Sequence, residues 1–440
     1  MRKRVKKLTD QILSIMKKLL LSLSALLLPI VTLAEPVEID GIYYNLNAET
    51  KEAEVAWNPD RYSGSVDISS VVIYDETEYK VTSIGSYAFW DCNELTAVSI
   101  PNTVTSIGER AFAEISSLTH LDLPDSVTKI GLQPFYCCTG LVSIVWPSSV
   151  KSIGNSCFYQ CTSLISVTIP DNLKSIEDYA FYGCNALASI TIPDGVTSIG
   201  SFSFCQCSSL TSITIPEGVA KIGQYTFFCC GHLATVSLPS SLTSIEECAF
   251  AVCPALASVT IPDGVTYIGD NAFTVCGLTS VTIPNSVGQI GRDAFNNCPY
   301  LTILTIGSGV WSISDKAFAQ CSALTDVYCL AEAVPNIWRE PFANTDIASA
   351  TLHVPASALQ AYSSKEPWKN FKDIVPLEGE SIETTYYTSS TGHIDIYSID
   401  GKLIGSAADQ SEAARIINNL PSGTSTIVKK GGKSVKIVVK

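Results

Sequence analysis

Charge is scarce in this chain. Only 16% of its residues are Asp, Glu, Lys or Arg, and cations are the rarer sign, 28 against 42, for a net charge of −14 at pH 7. A surface this poor in Lys and Arg does not neutralise a phosphate backbone, so nucleic acid is excluded as a partner. The acidity reads as a solubility device. Histidine is scarcer still: His120, His232, His353 and His393 are scattered along 440 residues. No Cys-x-x-Cys pair combines with a His at zinc-ligand spacing, so no metal site is expected. No phosphate-cradling loop or nucleotide fingerprint occurs, so no cofactor is expected. No grouping of nucleophile, base and orienter stands out either, and the chain does not read as an enzyme. Asp125, Asp171, Asp194 and Asp263 recur after a Pro, which a turn explains. Beyond the first 34 residues no apolar run is long enough to span a bilayer.

What is abundant is repetition. An Ile followed five residues later by a Phe occurs eleven times, from Ile84 and Phe89 to Ile313 and Phe318, at a period of 23 residues with one 22-residue step into Ile290. Gly follows the Ile except at Glu177, Glu246 and Ser314. Three residues after the Phe comes a Cys in ten of the eleven copies, with Ile115 in that place in the second. A Leu then opens a short alternating run such as Leu187-Ala-Ser-Ile190-Thr-Ile192, usually closed by a Pro. A fixed period of this length is the signature of a solenoid. One copy has too few apolar groups to close a core, so successive turns bury Ile, Phe, Cys, Leu and Val against one another, at roughly 1.5–3 kcal/mol per large side chain. The alternating run predicts a strand, ended by the Pro because Pro cannot donate to a ladder. The Ile-Gly-x-x-Ala-Phe segment predicts a short helical or 3₁₀ return.

Over residues 81–330 this pattern resembles the BspA-type leucine-rich repeat of bacterial surface proteins. The resemblance implies a repeat solenoid with one parallel strand per 23-residue turn, and a role in adhesion to host or matrix proteins and to other cells.

Sixteen Cys in an exported chain ordinarily suggest disulfides. Ten of them, Cys92, Cys138, Cys161, Cys184, Cys207, Cys230, Cys253, Cys276, Cys298 and Cys321, occupy one repeat position, so stacking sets them about 4.8 Å apart with parallel Cβ vectors. That arrangement predicts a ladder of free thiols packed as small hydrophobes. Cys137, Cys157, Cys205, Cys229, Cys248 and Cys329 follow no such rule.

Side chains alternate along a strand, so the residues between the buried ones point outward. They are Ser166 and Thr168, Ser189 and Thr191, Ser212 and Thr214, Thr235 and Ser237, Ser258 and Thr260, Ser280 and Thr282. This candidate binding face is flat, uncharged and free of aromatics, and gives way to His120 and Asp122 on one side and to Ile303, Asp326 and Tyr328 on the other. One reading is that Thr suits a strand surface and Ser is small; the functional reading is a docking surface for an extended protein or glycan partner. Ice or crystalline-polymer binding is disfavoured because Ser lacks the methyl such faces use.

The ends are different in kind. Seven Lys and Arg residues precede or open an apolar run from Leu19 to Leu33, and Thr32-Leu33-Ala34 supplies small residues for cleavage after Ala34, so 1–34 reads as a signal peptide, an uncleaved anchor being the rival. Losing seven basic and one acidic residue leaves 21 against 41, a net of −20. Residues 35–80 read as an N-terminal cap, with strands in Tyr62–Ile68 and Val71–Tyr74. After Leu324 the repeat fades. Residues 331–376 read as a C-terminal cap, with a strand at Ala350–Pro355, a helix from Ala356 to Ser363, and Trp338, Phe342, Trp368 and Phe371 covering the last turn; sugar binding by Trp338 or Trp368 is the rival. Residues 377–392 read as a linker. Residues 393–440 read as a small β module with a hairpin turn at Asp400-Gly401, and resemble the C-terminal sorting domain of Bacteroidetes type IX secretion, with Thr424 where that family has an aromatic. A plain β domain is the alternative. The chain as a whole reads as a secreted or outer-surface binding protein; a structural spacer and a carbohydrate-active enzyme are the competing classes.

Overall fold

The computed structural model describes residues 35–377, Arg415 and the strand backbones Ile394–Ser398, Leu403–Ala407, Ser425–Lys430 and Lys433–Val438. The expected signal peptide, nearly all of the expected linker and the Asp400-Gly401 turn lie outside the described residues. The chain divides into two compact units, Met1–Leu256 and Ala257–Lys440.

In the first unit, most coils begin with a three-residue strand, turn at the Pro, run through a two-residue strand that ends on the anchoring Ile, and return through a string of turns. Strand Ser143–Val145 pairs in parallel with Ser166–Thr168, residue for residue. Ser152–Ile153 pairs with Ser175–Ile176 in the same way. Partners are one 23-residue period apart, so the fold is the parallel β-solenoid that the period requires. The second strand in each coil is an addition to the one expected.

The return segment corrects the sequence reading: it is not helical. Left-handed backbone interrupts it twice per coil, as at Tyr87 (φ 61°) and Asp91 (φ 58°) after Ile84. The amides of Ala88, Trp90 and Cys92 close turns onto Gly85, Tyr87 and Phe89 at 3.1–3.3 Å, while those of Tyr87, Phe89 and Asp91 donate to the carbonyls of Glu109, Ala111 and Ala113 in the next coil at 2.8–3.0 Å. Alternate amides thus bond within a coil and between coils, which satisfies a buried backbone without helix or sheet. L-residues resist this conformation at about 1–2 kcal/mol each, so packing has to hold them there.

That packing is the Phe column. From Phe89 to Phe112 and on to Phe250, rings stack at centroid distances of 5.0–5.6 Å, and each is fully buried. Beside it runs the thiol column, and here the Cys side chains do more than fill space. The Sγ of Cys138, Cys161, Cys184, Cys207, Cys230 and Cys253 each donates to the carbonyl of the Phe one coil back, at 2.8–3.2 Å. All sixteen cysteines are free, and burial pushes the Cys253 thiol up to about 12.

The start of the column is closed by the segment before it. Strands Val37–Ile39, Ile42–Asn47 and Glu52–Val55 run antiparallel, and Val55 pairs in parallel with Ile84. Tyr62 lays its ring 4.9 Å from Phe89, donates its hydroxyl to Ala56 and its amide to the Cys92 sulfur.

The second unit repeats the design. Ser280–Ile283, Ile303–Ile306, Asp326–Cys329, Thr351–Val354 and Asp373–Pro376 form one parallel sheet. The residues after Leu324, irregular in sequence, hold a further coil. Phe342 stacks on Phe318 at 5.7 Å, and Thr345 takes the Cys place, its hydroxyl donating to the Phe318 carbonyl at 2.7 Å. The end is sealed by Trp368 and Phe371, each edge-on to Phe342 and stacked on one another at 6.2 Å, with Tyr362 edge-on to Trp368. Trp338 is not part of the seal: it is 65% exposed, against 0% for Trp368. The C-terminal strands form a separate four-stranded antiparallel sheet, in the order Leu403–Ala407, Ile394–Ser398, Ser425–Lys430, Lys433–Val438.

Candidate binding face

All twelve residues of the expected face are exposed. Eight lie in the first unit and four in the second. Strand pairing sets like beside like: Ser212 against Thr235 and Thr214 against Ser237, with Ile213 and Val236 turned inward between them. Around Ser189 to Thr191 and Ser258 to Thr260 the chain keeps its place without regular strand geometry. The surface is flat because every outward residue is small, and it offers hydroxyls that both donate and accept.

Each unit also carries polar chemistry on its strands. In the first unit His120 bridges two partners: its Nδ1 lies 2.8 Å from the Ser143 hydroxyl on the next strand, and its Nε2 3.0 Å from the Asp122 carboxylate. Hydroxyl, imidazole and carboxylate stand in triad order, which sequence reasoning missed because Ser143 lies one full period from His120. The His120 and Asp122 side chains are 53% and 73% exposed. Water reaches the ring freely, whereas acyl transfer needs a dry, preorganised site; the group is an exposed polar relay. In the second unit, His353 Nε2 lies 3.0 Å from Asp326, and its ring stacks on Tyr328 at 4.1 Å.

The turns that border the strands tie coils together. Asp125 accepts the amide and hydroxyl of Ser148 at 2.7 and 2.8 Å, and these bonds hold its carboxyl below the usual range. Glu217 does the same with Ser240. These carboxylates are already engaged as staples between coils. An open cleft of about 380 Å³ near the start of the first unit is lined by Asp40, Asn58, Arg61 and Asp67 among others. Both aspartates are exposed, whereas the acid of a glycosidase sits in an enclosed site facing the scissile bond.

A second surface, on the return side of the first unit, was not anticipated. Tyr136, Tyr159 and Tyr182 form one stack at 4.9 and 4.7 Å, and Tyr179, Phe202 and Tyr225 another at 4.7 and 4.6 Å, with planes within 8°. The two stacks meet where Tyr179 and Tyr182 lie 6.0 Å apart. All six rings are half-buried. The aromatic type at these repeat positions is confined to a few coils, so the consensus does not reveal it.

Parallel coils of one period, an inward Ile-Phe-Cys column and an open strand face define a leucine-rich-repeat solenoid. A family model described as a BspA-type leucine-rich repeat region matches residues 82–193, 128–257, 174–302 and 248–365, well over half of the sequence, and the chain belongs to that family. It is similar to a leucine-rich repeat protein from Bacteroides ovatus, at 27% identity over 77% of this chain and 90% of that one, with a TM-score of 0.57. It is also similar to a leucine-rich cell surface protein from Faecalibacterium prausnitzii, at 28% identity over 67% of this chain and 94% of that one, with a TM-score of 0.43. No curated protein matches. Among the described residues, no helix is long and apolar enough to cross a membrane.

Proposed function

We propose that the protein is secreted or held at the outer cell surface and binds an extended protein or glycan partner along its strand face. The observation that carries this reading is the run of paired, exposed hydroxyls from Ser166 and Thr168 to Thr235 and Ser237 in the first unit; the second unit has exposed hydroxyls of its own at Ser258, Thr260, Ser280 and Thr282. Small hydroxyls on a fixed lattice let a partner's main chain or sugar hydroxyls approach closely, and a rigid solenoid loses little entropy on docking. The acidic chain steers such a partner toward neutral or basic chemistry. The C-terminal β module serves export in this reading, as a type IX sorting domain, and the N-terminal 34 residues serve as the signal peptide.

The test is a binding screen of the full chain against immobilised matrix proteins and glycans, repeated with Ser212→Lys/Thr214→Lys. Two exposed substitutions leave the fold intact, within about 0.5 kcal/mol each, and abolish binding if the face is the site. Binding that survives the double variant moves the site elsewhere. No binding to any ligand leaves the spacer reading ahead.

A further inference from the structure

We infer that the open cleft near the start of the first unit, lined by Asp40, Asn58, Arg61 and Asp67, is a second binding site, and that its ligand is a neutral sugar residue of a glycan. This is independent of the strand-face reading, because it uses none of the residues of that face.

The walls come from three short segments. Asp40 and Gly41 are the turn of the hairpin between Val37–Ile39 and Ile42–Asn47, with φ at 50° and 81°. Strand Ser63–Asp67 brings Ser63, Ser65 and Asp67, all exposed, to the cleft. Between them in sequence lie Asn58 and Arg61, and these two point to a ligand. Asn58 is only 9% exposed. Its Oδ1 accepts the Asp60 amide at 2.9 Å and its carbonyl accepts the Arg61 amide at 3.1 Å, which fixes the residue in place. Its Nδ2 donates to no described residue. A buried amide without an acceptor is costly, and the cleft is the side from which an acceptor can come.

Arg61 is in the same state. Its guanidinium lies 5.3 Å from the Trp57 ring and 4.9 Å from the Trp90 ring, so aromatic faces hold it more than a carboxylate does. Its ion pair with Asp91 is long, at 3.5 Å, and its Nε is buried without a partner. Most of its N–H groups therefore have no acceptor among the described residues. A guanidinium held this way is a fixed, planar donor.

Charge then narrows the ligand. Asp40 and Asp67 against Arg61 leave the cleft negative in a chain of net −14, which repels an anion, while Arg61 repels a metal ion or an ammonium group. The ligand is therefore neutral. It accepts from the Asn58 amide and Arg61, which only donate, and donates to the two carboxylates, which only accept. Adjacent hydroxyls of a sugar do both at once. The buried Ile42 and Val66 also line the cleft and suit the C–H face of a sugar ring. A space of about 380 Å³ is at the small end of ligand clefts, enough for the end of a glycan, and the open side lets the rest of the glycan leave. With both carboxylates exposed, the site holds a sugar without cleaving it.

The test is saturation-transfer NMR on the full chain, titrated with the methyl glycosides of glucose, galactose, mannose and N-acetylglucosamine, and with glucuronic acid and glucosamine as charged counterparts. At least one neutral glycoside binds, more tightly than either charged sugar. Asp40→Asn/Asp67→Asn weakens that binding roughly tenfold or more, because charge-assisted bonds become neutral ones. The fold accepts both changes, with an unchanged melting temperature, since Asn-Gly suits the same hairpin turn and Asp67 is exposed. Asp75→Asn makes the same change in another hairpin turn with the same φ of 50°, outside the cleft, and leaves binding as in wild type. No binding of any neutral glycoside, tighter binding of glucuronic acid or glucosamine, or a double variant that binds as well as wild type overturns the inference.

Discussion

Cys207 is the sharpest point at which to perturb the solenoid. Its side chain is fully buried, and its sulfur donates to the Phe181 carbonyl 3.2 Å away in the preceding coil. If the thiol column is only filler, Val should replace Cys207 as well as Thr does, since the two are alike in shape. If the sulfur works as a donor, Thr keeps the bond and Val loses it, and Thr345 already shows a hydroxyl doing this in the last coil. A neutral hydrogen bond is worth about 0.5–1.5 kcal/mol. The Phe181 carbonyl still accepts the Cys184 amide at 3.1 Å, so it is not orphaned and the lower half of that range applies. Cys207→Thr is therefore expected to be about 0.5–1 kcal/mol more stable than Cys207→Val. Cys207→Ala loses the bond, roughly one methylene's worth of burial at ~0.8 kcal/mol, and the contacts around the gap, about 2 kcal/mol in all. Equilibrium urea unfolding followed by circular dichroism, with equal slopes across the series, reads these differences. Val equal to or better than Thr refutes the donor role.

Further outcomes follow from the same geometry. Burial pushes Cys253, Cys298 and Cys321 up to about 12; the unfolded chain therefore loses protons first as pH rises, so this stability is fully present below about pH 9 and is lost between about 9 and 12, and thermal melts should fall steeply in that window. Val275 holds φ at 57°, a region that β-branched residues avoid, while Asn297 fills the same repeat position at 56°; Val275→Asn is expected to stabilise by about 1 kcal/mol in the same urea assay. A Cβ on Gly108 would sit 2.4 Å from the Ser86 amide nitrogen of the coil before, whereas one on Gly154 meets nothing within 4 Å; Gly108→Ala should cost about 2 kcal/mol or more and Gly154→Ala should be neutral or better, as their melting temperatures will show.

The period carried most of this fold into view, because one Ile, one Phe and one Cys per coil fix which residues share a column. What stayed hidden has physical causes. Two-residue strands such as Ser152–Ile153 are too short to show alternation. The left-handed places are filled by Tyr, Gln, Cys and even Val, where Gly or Asn would have signalled a turn, so the return segment passed for a helix. The coil of Phe342 escaped because Thr345 replaces Cys and Pro341 replaces Ala. On the strand face, alternation located the exposed hydroxyls directly, but the His120 contact with Ser143 depends on register between coils. The aromatic stacks depend on register too, and lie at positions whose residue type changes from coil to coil.

The most direct test of the coil-to-coil register is a count of free thiols in the protein as isolated, unfolded in guanidinium without reductant. Columns of unbridged sulfur hydrogen-bonded to the preceding coil predict all sixteen reactive. A chain in which most of them are already paired contradicts the thiol column and the stacking built on it.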